Sequence, residues 1–518
     1  MIRKYVYTAC VSILMLLFVT RVEKTHAAIT LPAIITDSMV LQQRSAAALW
    51  GWAKAGEKIE ITNDWDHRKV KTIADKNGTW QVRIKTGIAG GPYTITIRGE
   101  NTITIKDVYL GEVWLCSGQS NMNFPLGKGE SWRTGVFNCE AEIAKANYTT
   151  IRLFTVKQEV ANEPQKDVKG KWNSCTSSVA AGFSAVAYYF AREIQKETGF
   201  PIGLIHSSWG GTPAESWTRK DTLQGNHALL PILQGYEEAI KKFPADEKAY
   251  AVELEKWKRG LDSITQQGGK ATPMPKKPVD PLTDSKSPST LYNAMIHPLI
   301  PFTIKGVIWY QGESNSDRPC EYQKLFPALI NSWRKEWNTD FPFYFVEIAP
   351  HYQKIPEIRE AQLYTYKTVS RTGLVVITDY GDSLNIHPRN KEVVGHRLAL
   401  WALAKDYGKK EIVYSGPIYR SMNIEGNKVV IHFDYADGGL VAKEGTLKEF
   451  AIAGSDKQFM KANATIEGDK VIVWSDMVKQ PEAVRFGWRN FPHAELYNKA
   501  GLPASPFSTG GLMAYPCQ

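Results

Sequence analysis

Four short polar segments carry the residue types that acyl transfer needs, and each follows an apolar run of strand length. Val113-Trp114-Leu115-Cys116 leads into Ser117-Gly118-Gln119-Ser120-Asn121-Met122. Ile202 to Ile205 leads into His206-Ser207-Ser208-Trp209-Gly210-Gly211-Thr212. Val307 to Tyr310 leads into Gln311-Gly312-Glu313-Ser314-Asn315. Leu374 to Thr378 leads into Asp379-Tyr380-Gly381-Asp382, then His387-Pro388. Ser120 is a hydroxyl on a tight turn, and a serine becomes a nucleophile only beside a base, for which histidine suits neutral pH. His387 is the choice among ten histidines because it lies late in the same region, just after Asp379 and Asp382; a carboxylate orients an imidazole and stabilises its cation. Gly210 and Gly211 let a backbone N–H approach a developing oxyanion, and Gln311 or Asn315 could add an amide donor. Glu313 is either a buried, paired charge or part of the substrate site. Taken singly, Ser120 would be an ordinary turn serine and Gly210-Gly211 a plain turn; the four segments together make a complete site.

Such segments converge only if the strands before them share one sheet. The apolar runs are short and almost unbroken, as in parallel strands buried on both faces, and they alternate with amphipathic helical stretches at Phe183–Thr198, Tyr322–Trp337 and Lys391–Tyr407. In such open α/β sheets, sites form at the carboxyl ends of the strands. We assign the α/β domain to residues 107–408. A charged helical stretch and a Pro-rich stretch interrupt it at about 225–290, as decoration or as a substrate wall. Residues 28–106 alternate apolar and polar with Asn77-Gly78 and Gly90-Gly91-Pro92 as turns, which predicts a β-sandwich; residues 409–518 return to that pattern and predict a C-terminal β domain.

The chain has 518 residues, 43% hydrophobic and 22% charged, the composition of a folded multidomain protein. Residues 1–27 read as an export signal with Arg3 and Lys4 ahead of an apolar stretch, so the mature chain is expected in the periplasm or outside the cell. No further apolar run is long enough to span a membrane. The formal charge of +10 falls to +7 without the signal and forms no basic block, which argues against a nucleic-acid partner. Cys116, Cys139, Cys175, Cys320 and Cys517 remain after removal of the signal; no Cys-x-x-Cys pair occurs, which argues against a zinc site, and an exported chain permits a disulfide.

The usual hydrolase elbow, Gly-x-Ser-x-Gly, is not matched, because Met122 stands where its second glycine would be. Instead, Leu110 to Met122 resembles the nucleophile block of the sialate O-acetylesterase family, within the SGNH-hydrolase superfamily. Trp309 to Asn315 resembles its third block, Ile386 to Lys391 its histidine block, and the tail with Leu496-Tyr497-Asn498 and Gly501-Leu502-Pro503 is also similar. The resemblance implies a flavodoxin-like, three-layer α/β/α catalytic domain flanked by β-rich domains. It implies a serine-dependent carbohydrate O-acetylesterase with Ser120 as nucleophile and His387 as base. The oxyanion donors would be the Ser120 backbone, a glycine near Gly211 and an amide from the Gln311–Asn315 loop; neither metal nor cofactor is implied. Two positions depart from the superfamily. Leu384 stands where an Asp often precedes the histidine by three residues, so Asp382 or Asp379 substitutes or the pair works as a dyad. Gly312 is followed by Glu313 and Ser314 where Gly-x-Asn is usual.

The expected partner is an O-acetylated glycan, with sialic acid first and plant glycans such as xylan or xyloglucan as the alternative; no oligomeric state is assigned. A sialate site calls for a cation, with Arg219, Arg318 and Arg389 as candidates, and a plant-glycan site for exposed aromatics, with Trp132, Trp209 and Trp217 as candidates. A rival of another class is a glycan-binding protein with an inactive esterase core, against which the retained Ser120 and His387 argue.

Overall fold

The computed structural model describes residues 28–266, 272–436 and 438–514. The proposed export signal and Cys517 lie outside them. Seven strands form the catalytic sheet: β1 (Thr102–Gly118), β2 (Tyr148–Thr155), β3 (Trp172–Cys175), β4 (Ile202–Ser208), β5 (Gly306–Tyr310), β6 (Phe343–Val346) and β7 (Thr372–Val375). Their order is β7-β6-β5-β1-β4-β2-β3. All neighbours are parallel except β2 and β3. Because β4 and β5 flank β1, the loops after these three strands emerge side by side.

The period of two along each strand sorts the side chains onto two faces. Trp114, Cys116, Ile308, Tyr310 and Tyr344 pack with helices α1 (Ala185–Thr198) and α5 (Lys391–Asp406). Val113, Leu115, Val307, Trp309, Phe343 and Phe345 face the other way, against Leu325, Phe326, Leu329 and Trp333 of α3 (Pro319–Trp337). With helices on both faces the domain is three-layered α/β/α, and the apolar strands are buried as the sequence pattern requires. Helix boundaries follow ordinary caps. The Ser184 hydroxyl accepts from Ala187 N at the start of α1, and Gly199 ends it at φ +71°.

The first half of β1 belongs to the N-terminal β region. Tyr109 to Gly111 pair with Val40–Gln42, and Thr102 to Leu110 pair with Gly90–Arg98. From Glu112 onward the same strand pairs with β4, and from Trp114 with β5. At the changeover, buried Glu112 accepts from the Gln43 amide at 2.7 Å, the Gln42 amide at 3.1 Å and the Tyr407 hydroxyl at 3.1 Å. The charged stretch after residue 229 forms one long helix, α2 (Leu230–Gln266). At the other end of the chain, antiparallel sheets pack back onto the catalytic domain through α4 (Glu357–Thr368): Ser508 N donates to Glu360, and the Ser505 hydroxyl to Glu347 on the residue after β6. Among the described residues no helix is long and apolar enough to cross a membrane.

Candidate active site

Strand β1 ends at Gly118, whose φ of +137° and whose position, where a Cβ would lie 2.2 Å from the Tyr310 carbonyl oxygen, admit only glycine. Gln119 N extends the ladder by one bond to Tyr310 O, 3.0 Å, and the chain then folds over itself, Met122 N and Asn123 N both donating to Gln119 O. This turn lifts Ser120 into a cavity of about 590 Å³. His387, Trp132, Gly210 and Gly211 line the same cavity.

The loop after β4 supplies the wall nearest the serine. A Cβ placed on Gly210 would sit 3.4 Å from the Ser120 Cβ, so the bare backbone lies against that residue. Thr212 pins the loop by donating to Trp209 O at 2.7 Å while accepting from Trp217 Nε1 at 3.0 Å. Among the described residues, no protein acceptor takes the backbone N–H of Ser120, Gly210 or Gly211. These are donors available to a negative charge that forms at Ser120.

His387 is half-buried and its ring stacks on Trp132, centroids 4.3 Å apart at 26°. Burial, and secondarily the charges of Lys391 and His351, push its pKa down to about 4. The imidazole is therefore neutral across the physiological range, the form a general base requires.

Asn121 joins the pieces from behind. Its amide donates to Glu313 Oε1 at 2.6 Å and to Ile386 O at 3.0 Å, while its Oδ1 accepts from Lys391 Nζ at 2.5 Å. Asn121, Glu313 and Lys391 are all buried. Burial raises the Glu313 pKa, against the opposing pull of the Asn121 bond and the nearby lysines. It lowers that of Lys391 to about 7, opposed by Glu313. The Lys391 ammonium also lies 5.0 Å over Phe124 and 5.2 Å over Tyr310. One asparagine thus ties the serine, glutamate and histidine loops together, with buried Glu313 and Lys391 as its partners.

Several expected residues take other places. Asp379 is bidentate to Arg397 of α5, both bonds 2.7 Å. Asp382 accepts from Leu384 N and Asn385 N, 2.9 and 3.0 Å, which shapes the turn before the histidine. Neither carboxylate bonds to His387, so among the described residues no acid sits on its imidazole. Gln311 and Asn315 are not oxyanion donors here. Gln311 Nε2 donates to Asn315 Oδ1 at 2.7 Å, and the Asn315 amide donates to Glu215 at 2.8 Å. Asn315 Oδ1 also accepts from Ala214 N, so both amides are spent bracing the loop after β4. Their loop gives the cavity Glu313 and Ser314 instead, and the side amides that line it are those of Gln119, Asn123 and Gln158.

The cavity's cations are also not the expected ones. Arg318 pairs with Glu215 and Glu321, Arg219 with Asp221 and Glu336, and Arg389 donates to Gly135 O and Val136 O. Arg133, Lys286 and Lys354 line the cavity. Arg133 lies 5.4 Å over the Trp132 ring and makes no ion pair among the described residues. Lys286 comes from the segment that interrupts the α/β domain, which therefore contributes to the wall. Trp132 and Trp209 line the cavity, whereas Trp217 is a core residue. Asn121 and Lys391 were within the sequence blocks singled out, but their pairing becomes visible only once two distant loops meet. His206 bonds to Ser208 Oγ at 2.6 Å beneath the site, and His432 sits in an antiparallel strand. Among the described residues, no group of three or more His, Cys, Asp or Glu is placed to hold a metal ion.

Comparison with known proteins agrees along nearly the whole chain. A family model described as carbohydrate esterase, sialic acid-specific acetylesterase, matches residues 110–263 and 278–403. The sialate O-acetylesterase of Rattus norvegicus is 30% identical, over 96% of this chain and 97% of its own. That of Homo sapiens is 29% identical, over 91% of each. A crystal structure described as a novel carbohydrate acetylesterase from Xanthomonas citri superposes with a TM-score of 0.76 at 34% identity, over 93% of this chain and 99% of that one.

Proposed function

The chain belongs to the sialic acid-specific acetylesterase family of carbohydrate esterases, and from that premise we propose that Ser120 and His387 release acetate from O-acetylated sugars through an acetyl-enzyme. The observation that carries the assignment is the shared cavity. Ser120 and His387 both line it, the Gly210 backbone lies against Ser120, and unclaimed N–H groups surround the serine.

Ser120 Oγ attacks the acetyl carbonyl carbon as His387 takes the hydroxyl proton. The carbonyl electron pair moves onto oxygen, where the N–H groups of Ser120 and the Gly210–Gly211 turn receive it. Collapse of this intermediate breaks the bond to the sugar oxygen, and His387 returns the proton to that oxygen as the sugar leaves. Water, deprotonated by His387, then attacks the acetyl-serine; acetate departs and Ser120 recovers its proton. With no carboxylate on its imidazole among the described residues, His387 gains orientation from the Trp132 face and from the Asn385 side chain, which accepts from His387 N at 2.9 Å.

The acceptor we favour is an O-acetylated sialic acid, because Arg133 and Lys286, without an ion-pair partner among the described residues, bring positive charge to the cavity for a sugar carboxylate. Trp132 and Trp209 support a second reading, acetylated xylan or xyloglucan, whose neutral rings stack on aromatic faces. We place the protein in the periplasm or outside the cell; Cys320 is disulfide-bonded, a state that oxidising compartments sustain.

The test is acetate release by the purified protein and its Ser120→Ala variant from acetylated sialic acid and, separately, from acetylated xylan or xyloglucan oligosaccharides. Release that vanishes with Ser120 supports the nucleophile, and the better substrate names the acceptor. Release that survives the substitution overturns the assignment.

A further inference from the structure

A second cleft, of about 660 Å³, opens between the catalytic domain and the C-terminal β region. One side is the segment 352–357, which ends in the first turn of α4; the other is the turn Trp488 to His493. The two sides are stitched together. Asn490 Nδ2 donates to Tyr352 O at 2.6 Å, His351 N donates to Asn490 O at 3.2 Å, and Arg359 Nη2 donates to Arg489 O at 2.5 Å. The volume lies within the range of about 300–1,000 Å³ found for small-molecule sites.

Its lining is selective. Tyr352 is 60% exposed and meets Phe491 with ring centroids 5.7 Å apart, so aromatic faces are presented at the mouth. Deeper in, Glu357 is only 4% exposed, and its carboxylate acts electrostatically on the buried Arg359 guanidinium two residues on. The cleft's cations are engaged: Arg489 pairs with Glu449 at 3.1 Å, and Arg485 lies over Phe459 and Trp488 at 4.0 and 4.7 Å. Two arginines disfavour a cationic ligand and the Glu357 carboxylate disfavours an anion. An uncharged molecule with apolar faces and many hydroxyl donors suits both the rings and Glu357, and a neutral sugar unit has that chemistry.

The cleft is also linked to the candidate active site. The segment that carries Tyr352 and Glu357 carries Lys354, which lines the Ser120 cavity and donates to Glu313 O at 2.8 Å. Tyr352 N donates to Ser383 O, in the loop that leads to His387. We propose that this cleft is a distal carbohydrate subsite, holding neutral sugar units of the same glycan whose acetylated unit sits at Ser120. The inference rests on the esterase reading for its substrate and adds where the rest of the chain goes.

The experiment combines calorimetry and kinetics on the full protein, Tyr352→Ala and Glu357→Gln. Unacetylated xylo-oligosaccharides, xyloglucan oligosaccharides and sialylated oligosaccharides are titrated separately, and turnover is followed on an aryl acetate and on the acetylated oligosaccharides. The expected result is that at least one oligosaccharide binds about tenfold more weakly to each variant. KM on the acetylated oligosaccharide should rise in parallel, while aryl acetate turnover stays unchanged. Equal binding by all three proteins, binding by none, or a matching fall in aryl acetate turnover overturns the subsite. Aryl acetate turnover that does not depend on Ser120 would instead overturn the esterase reading, and the titrations would still decide the cleft.

Discussion

Asn121, the residue after Ser120, donates a 3.0 Å hydrogen bond to the carbonyl of Ile386, the residue before His387. The two residues assigned to the chemistry come from loops more than 260 positions apart, and this bond is where their backbones are fastened. The same side chain holds Lys391 and Glu313, so the fastening is anchored in two buried polar partners.

Replacing Asn121 should therefore uncouple the nucleophile from the base. Asn121→Ala is expected to lower kcat by about a hundredfold, the scale associated with roughly 1 Å of misplacement, with KM little changed. Steady-state kinetics on acetylated sugar and aryl acetate, with circular dichroism to confirm folding, would check it. A folded variant with wild-type kcat would contradict the fastening role.

The acid limb of the pH profile should lie well below that of an ordinary histidine. Burial holds the His387 pKa down to about 4, so the base form persists as pH falls and kcat/KM should halve near pH 4 rather than near 6.5. The same low pKa costs folding stability as pH falls. The unfolded chain binds protons on His387 and on buried His206, also lowered to about 4, before the folded chain does. Folding stability is thus lost as pH drops from about 6.5 toward 4. Profiles should be read only where circular dichroism is unchanged; a half-point near 6.5 under those conditions would show that His387 is not the titrating base.

Arg133 should discriminate among acceptors. If its guanidinium meets a sugar carboxylate, Arg133→Gln should raise KM for acetylated sialic acid by about tenfold, the value of a charge-assisted hydrogen bond of roughly 1.5 kcal/mol, and leave acetylated xylan within about twofold. Equal effects on both substrates would favour the neutral-glycan reading.

Asn315 should matter to the fold more than to the transition state. Its amide braces Gln311, Ala214 and Glu215 away from the cavity, and truncation removes a partner from each of those buried groups. Asn315→Ala should destabilise the protein by about 2–3 kcal/mol in denaturant unfolding. Residual kcat per folded molecule should fall by less than the hundredfold or more typical of losing an oxyanion donor.

The catalytic layer was readable from the sequence because parallel strands buried on both faces must be apolar throughout, and Val113–Cys116, Ile202–Ile205 and Val307–Tyr310 are. The tight turn that carries Ser120 was equally legible, since the polar run after β1 had to bend sharply. The fates of Asp379, Gln311 and Asn315 were not. Each has the right chemistry for the site, but the partner that claims it, Arg397 for Asp379 and Glu215 for Asn315, arrives from an element folded in from elsewhere in the chain. Spacing can nominate a polar group; only packing decides which neighbour it satisfies. Arg133 shows the converse, a residue on an irregular segment that no sequence pattern singled out and that lines the cavity beside Trp132.

Strand β1 is shared by two neighbourhoods, pairing with Gly90–Arg98 and Val40–Gln42 along its first half and with β4 and β5 along its second. No severable hinge exists along it, because the residues that a truncation near 107 would separate are consecutive members of one hydrogen-bonded ribbon. Deleting the first region would expose the backbone edge of Thr102 to Gly111 and deprive the Glu112 carboxylate of the Gln42 and Gln43 donors. The seemingly inert front of the protein is in this sense the root of the strand that ends at Ser120. Swapping that front for another module would amount to regrafting the nucleophile itself.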